Sequence, residues 1–245
     1  MKLIFSEFQP RYGNYTFPYV VWAIPENSKE IASLYAQGFL PSTKPKFYLT
    51  RSTRISLKAF QTSYSNRRAL KKSEHINLSI TKSENFNLSA DHITLCMECA
   101  ANRFGDGVVD EHRLHRIFSS ENCSHIMSFS YLDQTVGLVT VNVLEDIAHY
   151  NFAFHDITKA HLSIGTFMLT SAVKHFQDLE FSYLYMGTCY SKNFLYKSKF
   201  KGFEFFNGTG WSGDLAELEY LISDPDVPTH LLESQEYLHK FPQQL

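Results

Sequence analysis

Residues 126–187 decide the fold, and they read IMSFSYLDQTVGLVTVNVLEDIAHYNFAFHDITKAHLSIGTFMLTSAVKHFQDLEFSYLYMG. Short apolar and β-branched runs alternate with polar residues, which predicts three strands at 126–131, 135–143 and 148–154. Asp133-Gln134 between the first two runs predicts a tight hairpin turn. Apolar residues at helical spacing then predict a helix over about 162–179, and a further strand follows at 183–187.

Helices precede this stretch. Ser89 can cap a helix whose apolar face runs from Ile93 to Phe104, and a short helix follows Asp110. The resulting order is helix, helix, three strands, helix, strand. An antiparallel meander followed by a strand–helix–strand crossover is a mixed sheet, so we predict an α/β (α+β) protein with flanking helices. A helix at 27–38 and strands at 55–61 and 75–80 predict a smaller α+β region before it.

The composition belongs to globular proteins. The chain has 245 residues, 44% hydrophobic and 20% charged, which excludes a disordered acidic tail, a collagen repeat or a coiled-coil rod. No apolar run approaches the roughly 20 residues of a membrane helix, and the N-terminal apolar stretch is too short for a signal peptide. Four cysteines do not make a disulfide scaffold. We therefore expect a cytoplasmic protein with no membrane partner.

Charge is distributed unevenly along the chain. Nine basic residues and no acidic residue lie between positions 44 and 73, whereas 214–236 holds seven acidic residues and no Lys or Arg. With aromatics interleaved, the basic block favours a nucleic-acid or nucleotide partner, the alternative being a solvated basic face. The acidic stretch indicates a solvated surface segment. We divide the chain into a basic N-terminal region (1–88), a mixed-sheet domain (89–213) and an acidic C-terminal segment (214–245).

Cys96 and Cys99 form a CxxC pair on the apolar face of a predicted helix. A structural zinc site needs four ligands, and the remaining cysteines stand alone in the sequence. Buried cysteines behave as small hydrophobic residues. We therefore predict no metal, with a metal or redox role as the alternative.

Three segments are candidates for binding or chemistry. His155-Asp156 ends a strand just before the main helix, where sites in α/β sheets are common. Ser163-Ile164-Gly165-Thr166 opens that helix, whose free amides can bind an anion or a polarised carbonyl. Cations and aromatics alternate after the last core strand, which suits stacking and phosphate contact or, alternatively, a solvated helix followed by an aromatic strand.

Several motifs in order resemble one family. Residues 63–72 read SYSNRRALKK, 163–169 read SIGTFML and 183–187 read YLYMG; Lys192, Tyr196-Lys197, Phe200 and Trp211 follow. Together they resemble the aminoacyl-tRNA–protein transferases, which include arginyltransferases and bacterial leucyltransferases that modify protein N-termini. The similarity covers roughly residues 10–211. The order of predicted elements is also similar to the core of GNAT-type acyltransferases.

The resemblance implies a GNAT-like catalytic domain that needs no cofactor beyond its donor, a charged tRNA. The acceptor would be the amine of a protein or peptide, which attacks the ester joining amino acid to tRNA. The implied tRNA-binding residues are Arg67, Arg68, Lys71 and Lys72. The implied substrate-binding residues are Ser163, Gly165, Lys192, Tyr196 and Lys197. The implied catalytic residues are Asp156, Thr166 and Tyr190, with Asp156 orienting the amine or accepting its proton.

The chain departs from the family pattern in its N-terminal half. Phe17-Pro18-Tyr19 stands where the family has Cys-Pro-Tyr, and residues 49–54 contain no cysteine. A metal or cluster is therefore not expected in that half. We expect transfer of an amino acid of the arginine or leucine type from tRNA to an amine. The alternatives are an N-acyltransferase that uses acetyl-coenzyme A and a non-catalytic tRNA-binding protein.

Overall fold

The structure is a computed structural model that describes residues 1–14, 18–42, 46–223 and 234–242. The strands within these ranges are β1 (Lys2–Glu7), β2 (Tyr19–Ile24), β3 (Phe39–Pro41), β4 (Phe47–Leu49), β5 (Ser52–Ser56), β6 (Asn77–Lys82), β7 (His125–Tyr131), β8 (Gln134–Leu144), β9 (Ile147–His155), β10 (Tyr183–Thr188), β11 (Phe203–Phe206) and β12 (Trp211–Ser212). The α-helices are α1 (Lys29–Ala36), α2 (Tyr64–Lys72), α3 (Ala90–Phe104), α4 (Glu111–Phe118), α5 (Ile164–Asp178), α6 (Leu215–Ser223) and α7 (Gln235–Lys240). Short 3-10 helices lie at Tyr12–Asn14, Ser83–Asn85, Ile157–Leu162 and Lys192–Lys199.

A mixed sheet of eight strands forms the centre of the fold, in the order β12-β11-β5-β10-β9-β8-β7-β6. Its pairings are antiparallel except for β9 with β10, which run parallel and are joined through α5. The predicted mixed α/β sheet with flanking helices and its GNAT-like meander and crossover are therefore confirmed. A second, antiparallel sheet of four strands is built from β1 to β4, in the order β1-β2-β4-β3.

The predicted meander is present as β7, β8 and β9. The hairpin turn between β7 and β8 consists of Leu132 and Asp133, not Asp133-Gln134, because Gln134 already pairs with Tyr131. Leu132 and Asp133 have φ values of 49° and 60°. Positive φ at both turn residues matches the right-handed twist of the flanking strands.

The cap predicted at Ser89 is also present, whereas α1, predicted at 27–38, starts at Lys29 with Ser28 at its N-cap and no side-chain cap. The Ser89 side chain accepts a hydrogen bond from the His92 amide at the start of α3, and Asp110 accepts one from the Arg113 amide at the start of α4. The main helix α5 starts at Ile164 rather than at 162, because Ser163 has a left-handed φ of 55° that separates it from the preceding 3-10 helix.

The sequence predicted a strand at 55–61, whereas β5 lies earlier, at Ser52–Ser56. The polar residues Ser52, Thr53 and Arg54 explain the difference. All three are buried, so the strand lacks the alternation that marks a strand with one solvated face. The Arg54 guanidinium is held by Glu204 at 2.6 Å and lies 3.9 Å from the ring of Trp211. Because β5 pairs with β10 and β11, the large sheet takes strands from both sides of residue 88.

Helices cover both faces of the large sheet. On one face, α2 and α5 pack on a core that includes Met127, Val139 and Leu184. On the other face, α3 and α4 pack against Ile126 and Leu138, which have the opposite strand parity. The small sheet and α1 adjoin that second face through a core in which Tyr35 packs on Tyr185.

The C-terminal segment is less solvated than its charge predicts. In α6, Leu218, Leu221 and Ile222 are buried in the main core, and Glu217 is buried with its carboxylate accepting from Tyr237 of α7. Residues 224–233 and 243–245 of this segment lie outside the described residues. No helix within the described ranges combines the length and apolar character that crossing a bilayer requires.

One buried side chain joins α2 to α5. Asn66 is 1% exposed; its side-chain oxygen accepts from the backbone and hydroxyl of Ser63, and its amide nitrogen donates to the Thr170 hydroxyl at 3.2 Å. At the other end of α2, the Ser73 hydroxyl donates to the Leu162 carbonyl. The two helices are therefore antiparallel and fixed at both ends.

Replacing Asn66 with alanine should destabilise the protein by about 1–3 kcal/mol, because the substitution removes a capping box and leaves buried partners unpaired. The free energy of unfolding, measured with urea, checks this. The matched control is Asn102→Ala on the exposed side of α3, where we expect a change within about 0.5 kcal/mol. Equal effects of the two substitutions would contradict the role of Asn66.

Candidate active site

The cleft of this protein lies where β9 and β10 separate. Their parallel pairing runs from Ile147–Tyr183 to His149–Tyr185 and ends there. Beyond that point β9 continues to pair with β8, whereas Thr188 of β10 pairs with β5. The gap opens at the carboxyl ends of both strands, the usual place for ligands in an open α/β sheet.

A β-bulge in β9 sets which side chains face the gap. Val139 of β8 pairs with Ala153 and Val141 pairs with Tyr150, so β9 has one more residue than β8 between these pairs. A bulge re-aims the side chains that follow it. As a result Tyr150, Ala153 and His155 all line the cleft.

Two adjoining cavities fill the cleft and share Arg103, Tyr150, Ala153, Leu169 and Tyr196. The first, which we call the aromatic cavity, has a volume of about 210 Å³, and its other lining residues include Phe104, Phe154, Met186, Phe194 and Lys197. The second, the helix-end cavity, has a volume of about 480 Å³ and is also lined by His155, Gly165, Thr166 and Asn193.

The helix-end cavity adjoins the first turn of α5. Ser163 at the N-cap makes no side-chain cap, so the first-turn amides are available as hydrogen-bond donors. The ring of His155 lies against Gly165, where an added Cβ would be 3.4 Å from the imidazole. Burial, together with the charge of Arg103, lowers the pKa of His155, so its imidazole is neutral at pH 7.

Tyr150 stands at the junction of the two cavities. Its side chain is buried at 8% exposure, and no described residue hydrogen-bonds its hydroxyl. Burial and the neighbouring Tyr196 raise the pKa of Tyr150, whereas Arg103 acts to lower it. The phenol therefore stays protonated and can donate a hydrogen bond to a group bound in the cleft.

Lys197 shapes the wall of the aromatic cavity from inside the protein. It is 5% exposed, and its ammonium donates to the carbonyls of Met186 at 2.6 Å and Thr188 at 2.9 Å. Between these carbonyls Gly187 has a left-handed φ of 75°. Burial lowers the pKa of Lys197 to about 8. The ammonium thus fixes the end of β10, and its predicted role in substrate binding stays a prediction.

The basic helix α2 packs against α5, the helix whose first turn borders the cleft. Arg67, Arg68, Lys71 and Lys72 are all exposed, as a phosphate-binding surface requires. The ammonium of Lys72 lies 3.4 Å from the carbonyl of His161, two residues before Ser163 and the start of α5. The basic end of α2 therefore lies at the turn that leads into α5, whose residues Gly165 and Thr166 line the helix-end cavity.

The remaining basic residues do not all share this surface. Lys44 lies outside the described residues, as does Phe17 of the Phe-Pro-Tyr segment. Arg54 is buried in its ion pair with Glu204, and Lys46 stacks on the ring of Trp22 in the small sheet. The nine basic residues between positions 44 and 73 are thus divided among at least two structural environments.

The structure brings together Gly165, Thr166, Tyr196 and Lys197 from the predicted site. Ser163 adjoins them as the N-cap of α5 but lines neither cavity. Lys192 is exposed at the start of its 3-10 helix.

Tyr190 and Asp156 also lie outside both cavities. The Tyr190 hydroxyl accepts from the Arg51 amide at 2.8 Å. Asp156 lines a separate cavity, where it accepts from the Thr158 amide and pairs with Lys159. Partial burial acts to raise the pKa of Asp156, but the hydrogen bonds from Lys159 and Thr158 outweigh it and hold that pKa below its ordinary value.

Arg103 and Tyr150 were missed by sequence analysis. Arg103 is the penultimate residue of α3 and carries no local motif, and Tyr150 lies in a strand that reads as ordinary core. The CxxC pair is not part of the cleft lining. Cys96 and Cys99 are buried, and burial raises the pKa of both thiols, as expected for structural cysteines.

Comparisons with known proteins bear on this cleft. The family model described as "Arginine-tRNA-protein transferase, C terminus" matches residues 63–207. A search of curated proteins finds no match. Among solved structures, L-PGS from Bacillus licheniformis is similar with a TM-score of 0.43 and 12% identity, covering 66% of this chain and 52% of that chain. FemX is similar with a TM-score of 0.44 and 8% identity, covering 73% and 65%. The chain thus spans about half the length of the first structure and just under two thirds of the second.

The buried lysine predicts a pH dependence of stability. Lys197 has a pKa of about 8 in the folded protein and roughly 10.4 when unfolded. The unfolded chain therefore binds more protons in this window, so the contribution of Lys197 to stability increases as the pH rises. We compare the free energies of unfolding of the wild type and Lys197→Met. Their difference should change by about 2 kcal/mol in favour of the wild type when the pH is raised from 7.5 to 10. Urea unfolding of both proteins at the two pH values checks this, and a constant difference would contradict it.

Proposed function

This chain belongs to the arginine-tRNA-protein transferase family, because it matches the model of that family's C-terminal region, and from that premise we propose that it moves an amino acid from a charged tRNA to the α-amine of a protein or peptide. The observation that carries the proposal is the extent of the match. Residues 63–207 contain the basic helix α2 together with every side chain that lines the two cavities. A basic surface and a cleft within the same matched region suit a donor that is both a nucleic acid and an aminoacyl ester.

In this proposal the donor spans the two cavities. The aminoacyl side chain occupies the aromatic cavity, and the terminal ribose with its phosphate occupies the helix-end cavity, against Gly165 and Thr166. There the first-turn amides of α5 can meet phosphate oxygens. The basic side chains of α2 bind phosphates further along the acceptor stem.

The chemistry needs little activation. An α-amine has a reference pKa of about 8, so a useful fraction is neutral near pH 7 and can attack the ester carbonyl. The new C–N bond forms as the C–O bond to the ribose breaks, and one amine proton ends on the released ribose hydroxyl. We assign Tyr150 as the donor to the developing oxyanion and neutral His155 as the group that carries the proton. Asp156 then acts as a positioning residue, through the turn that leads into α5.

A transfer assay tests the proposal. We expect label to move from a mixture of charged tRNAs to peptides with varied N-termini, and not from acetyl-coenzyme A. Arg67→Ala combined with Arg68→Ala should weaken tRNA binding and reduce its salt slope by about 1.5, because two phosphate contacts are lost.

The matched control is Arg11→Ala combined with Arg116→Ala, which removes two exposed charges from other elements. We expect the control to bind tRNA as the wild type does. Acetyl transfer without tRNA would replace the proposal with a coenzyme-A enzyme. Equal binding of charged and uncharged tRNA without transfer to any peptide would indicate a binding protein.

Tyr150→Phe should reduce the rate of transfer about 100-fold or more while tRNA affinity stays unchanged, because one oxyanion donor is lost and the ring is kept. Single-turnover rates with saturating charged tRNA check this. Tyr131→Phe, a partly buried tyrosine of β7 outside the cleft, is the control and should keep the wild-type rate. A wild-type rate for Tyr150→Phe would remove that residue from the mechanism.

A further inference from the structure

A third cavity lies between the small sheet, α4 and the bulge of β9. We call it the polar cavity. It has a volume of about 240 Å³, and its lining includes Ser42 and Tyr48 from the small sheet and its β3–β4 turn, Arg113 from α4 and Asn151 from β9. Asn151 also lines the aromatic cavity, so the two cavities approach each other at the bulge. The transfer proposed above does not use this third space.

The one charged side chain that lines the polar cavity among the described residues is a cation. Arg113 is half-buried, and its guanidinium donates to the Val108 carbonyl at 2.8 Å. The two acidic residues just before it have other partners: Asp110 accepts from the Arg113 backbone amide, and Glu111 faces His115. In the described part of the chain no carboxylate pairs with the guanidinium. A half-buried cation without a counter-charge favours an anionic ligand.

Neutral hydrogen-bond donors surround the same space. The Tyr48 hydroxyl and the Asn151 side-chain amide are half-buried and have no hydrogen-bond partner within the described ranges. Burial raises the pKa of Tyr48, so its phenol stays protonated and can donate. The Ser120 hydroxyl accepts from the Asn122 amide at 3.2 Å, which leaves its own proton for the cavity. Polar groups of this kind are normally satisfied by a ligand or by water.

The elements around the polar cavity fix its shape. The Asn122 side chain donates to the Ser42 carbonyl at 3.0 Å, which links the segment after α4 to the end of β3. Ile117 and Phe152 add apolar surface to the lining. For comparison, an apolar protein cavity of roughly 150 Å³ holds benzene. The polar cavity therefore has room for an apolar body of about one ring together with a charged group.

We propose that the polar cavity binds a small organic oxyanion, a carboxylate or a phosphate monoester whose apolar body is about the size of one ring. The planar guanidinium of Arg113 meets two oxygens of the anion, as this group does with carboxylates and phosphates. Tyr48 and Asn151 donate to its remaining acceptor sites, and the apolar body lies on Ile117 and Phe152. This inference does not depend on the proposed aminoacyl transfer.

Direct binding to the full chain tests the inference. Equilibrium dialysis would measure radiolabelled benzoate and phenyl phosphate, with benzamide as an uncharged probe of the same shape as benzoate. We expect saturable binding of at least one of the two anions, with a Kd of about 1 mM or tighter, and binding of benzamide about tenfold weaker or less. Absence of saturable anion binding in this range, or equal binding of benzamide, would overturn the inference.

Two variants locate the bound anion. Arg113→Gln should weaken its binding about tenfold or more, because the charged fork is lost. Tyr48→Phe should weaken it about fivefold, because one donor is lost while the ring that packs on Trp22 is kept. Arg116→Gln, at an exposed position of α4, is the matched control and should bind as the wild type does.

A second control separates the polar cavity from the basic surface of α2. Arg67→Gln combined with Arg68→Gln removes two exposed charges from that helix and should leave the Kd for the anion unchanged. Wild-type affinity in both Arg113→Gln and Tyr48→Phe, with each variant folded by circular dichroism, would overturn the inference. Loss of binding in the α2 variant alone would overturn it as well, because the anion would then lie on α2.

Discussion

The separation of β9 and β10 after His149 and Tyr185 is the constraint on which the rest of the cleft depends. A sheet opens only if each strand finds another partner beyond the split, and here β8 and β5 supply those partners. Beyond the split, β10 no longer pairs with β9. Lys197 stabilises this end of β10 by donating hydrogen bonds to two of its carbonyls. Because of the bulge in β9, Tyr150 before it and His155 after it line the same space.

Several polar groups are buried behind this opening, and each has specific partners. Arg54 pairs with Glu204 and stacks on aromatic rings, and the Tyr35 hydroxyl meets His149 Nδ1 at 3.1 Å. Burial, with the nearby Lys197, lowers the pKa of His149 to about 3, so that ring is neutral. Its Nε2 has no partner among the described residues. Such groups cost desolvation energy, and their directional contacts limit how the small sheet can pack on the large one.

The contacts between α2 and α5 connect the surface that suits a polyanion with the cleft. Asn66 and Ser73 hold α2 at its two ends, so its exposed cations keep a constant distance from the first turn of α5. Positioning of this kind matters when catalysis depends on the placement of an already reactive ester rather than on strong acids or bases.

The sequence by itself determined the meander, the cap of α3, the crossover helix α5, the mixed sheet and the family. These features are carried by local periodicity and by motifs whose residues lie close together in the chain. The tertiary structure alone decided that β5 enters the large sheet, that Tyr150 and Arg103 meet at the cleft, and that Asp156 lines a different cavity. The reason is physical: β5 is buried on both faces despite its polar residues, and the bulge in β9 changes which side chains face the gap. The register of strands far apart in sequence sets both effects, and local periodicity does not encode that register.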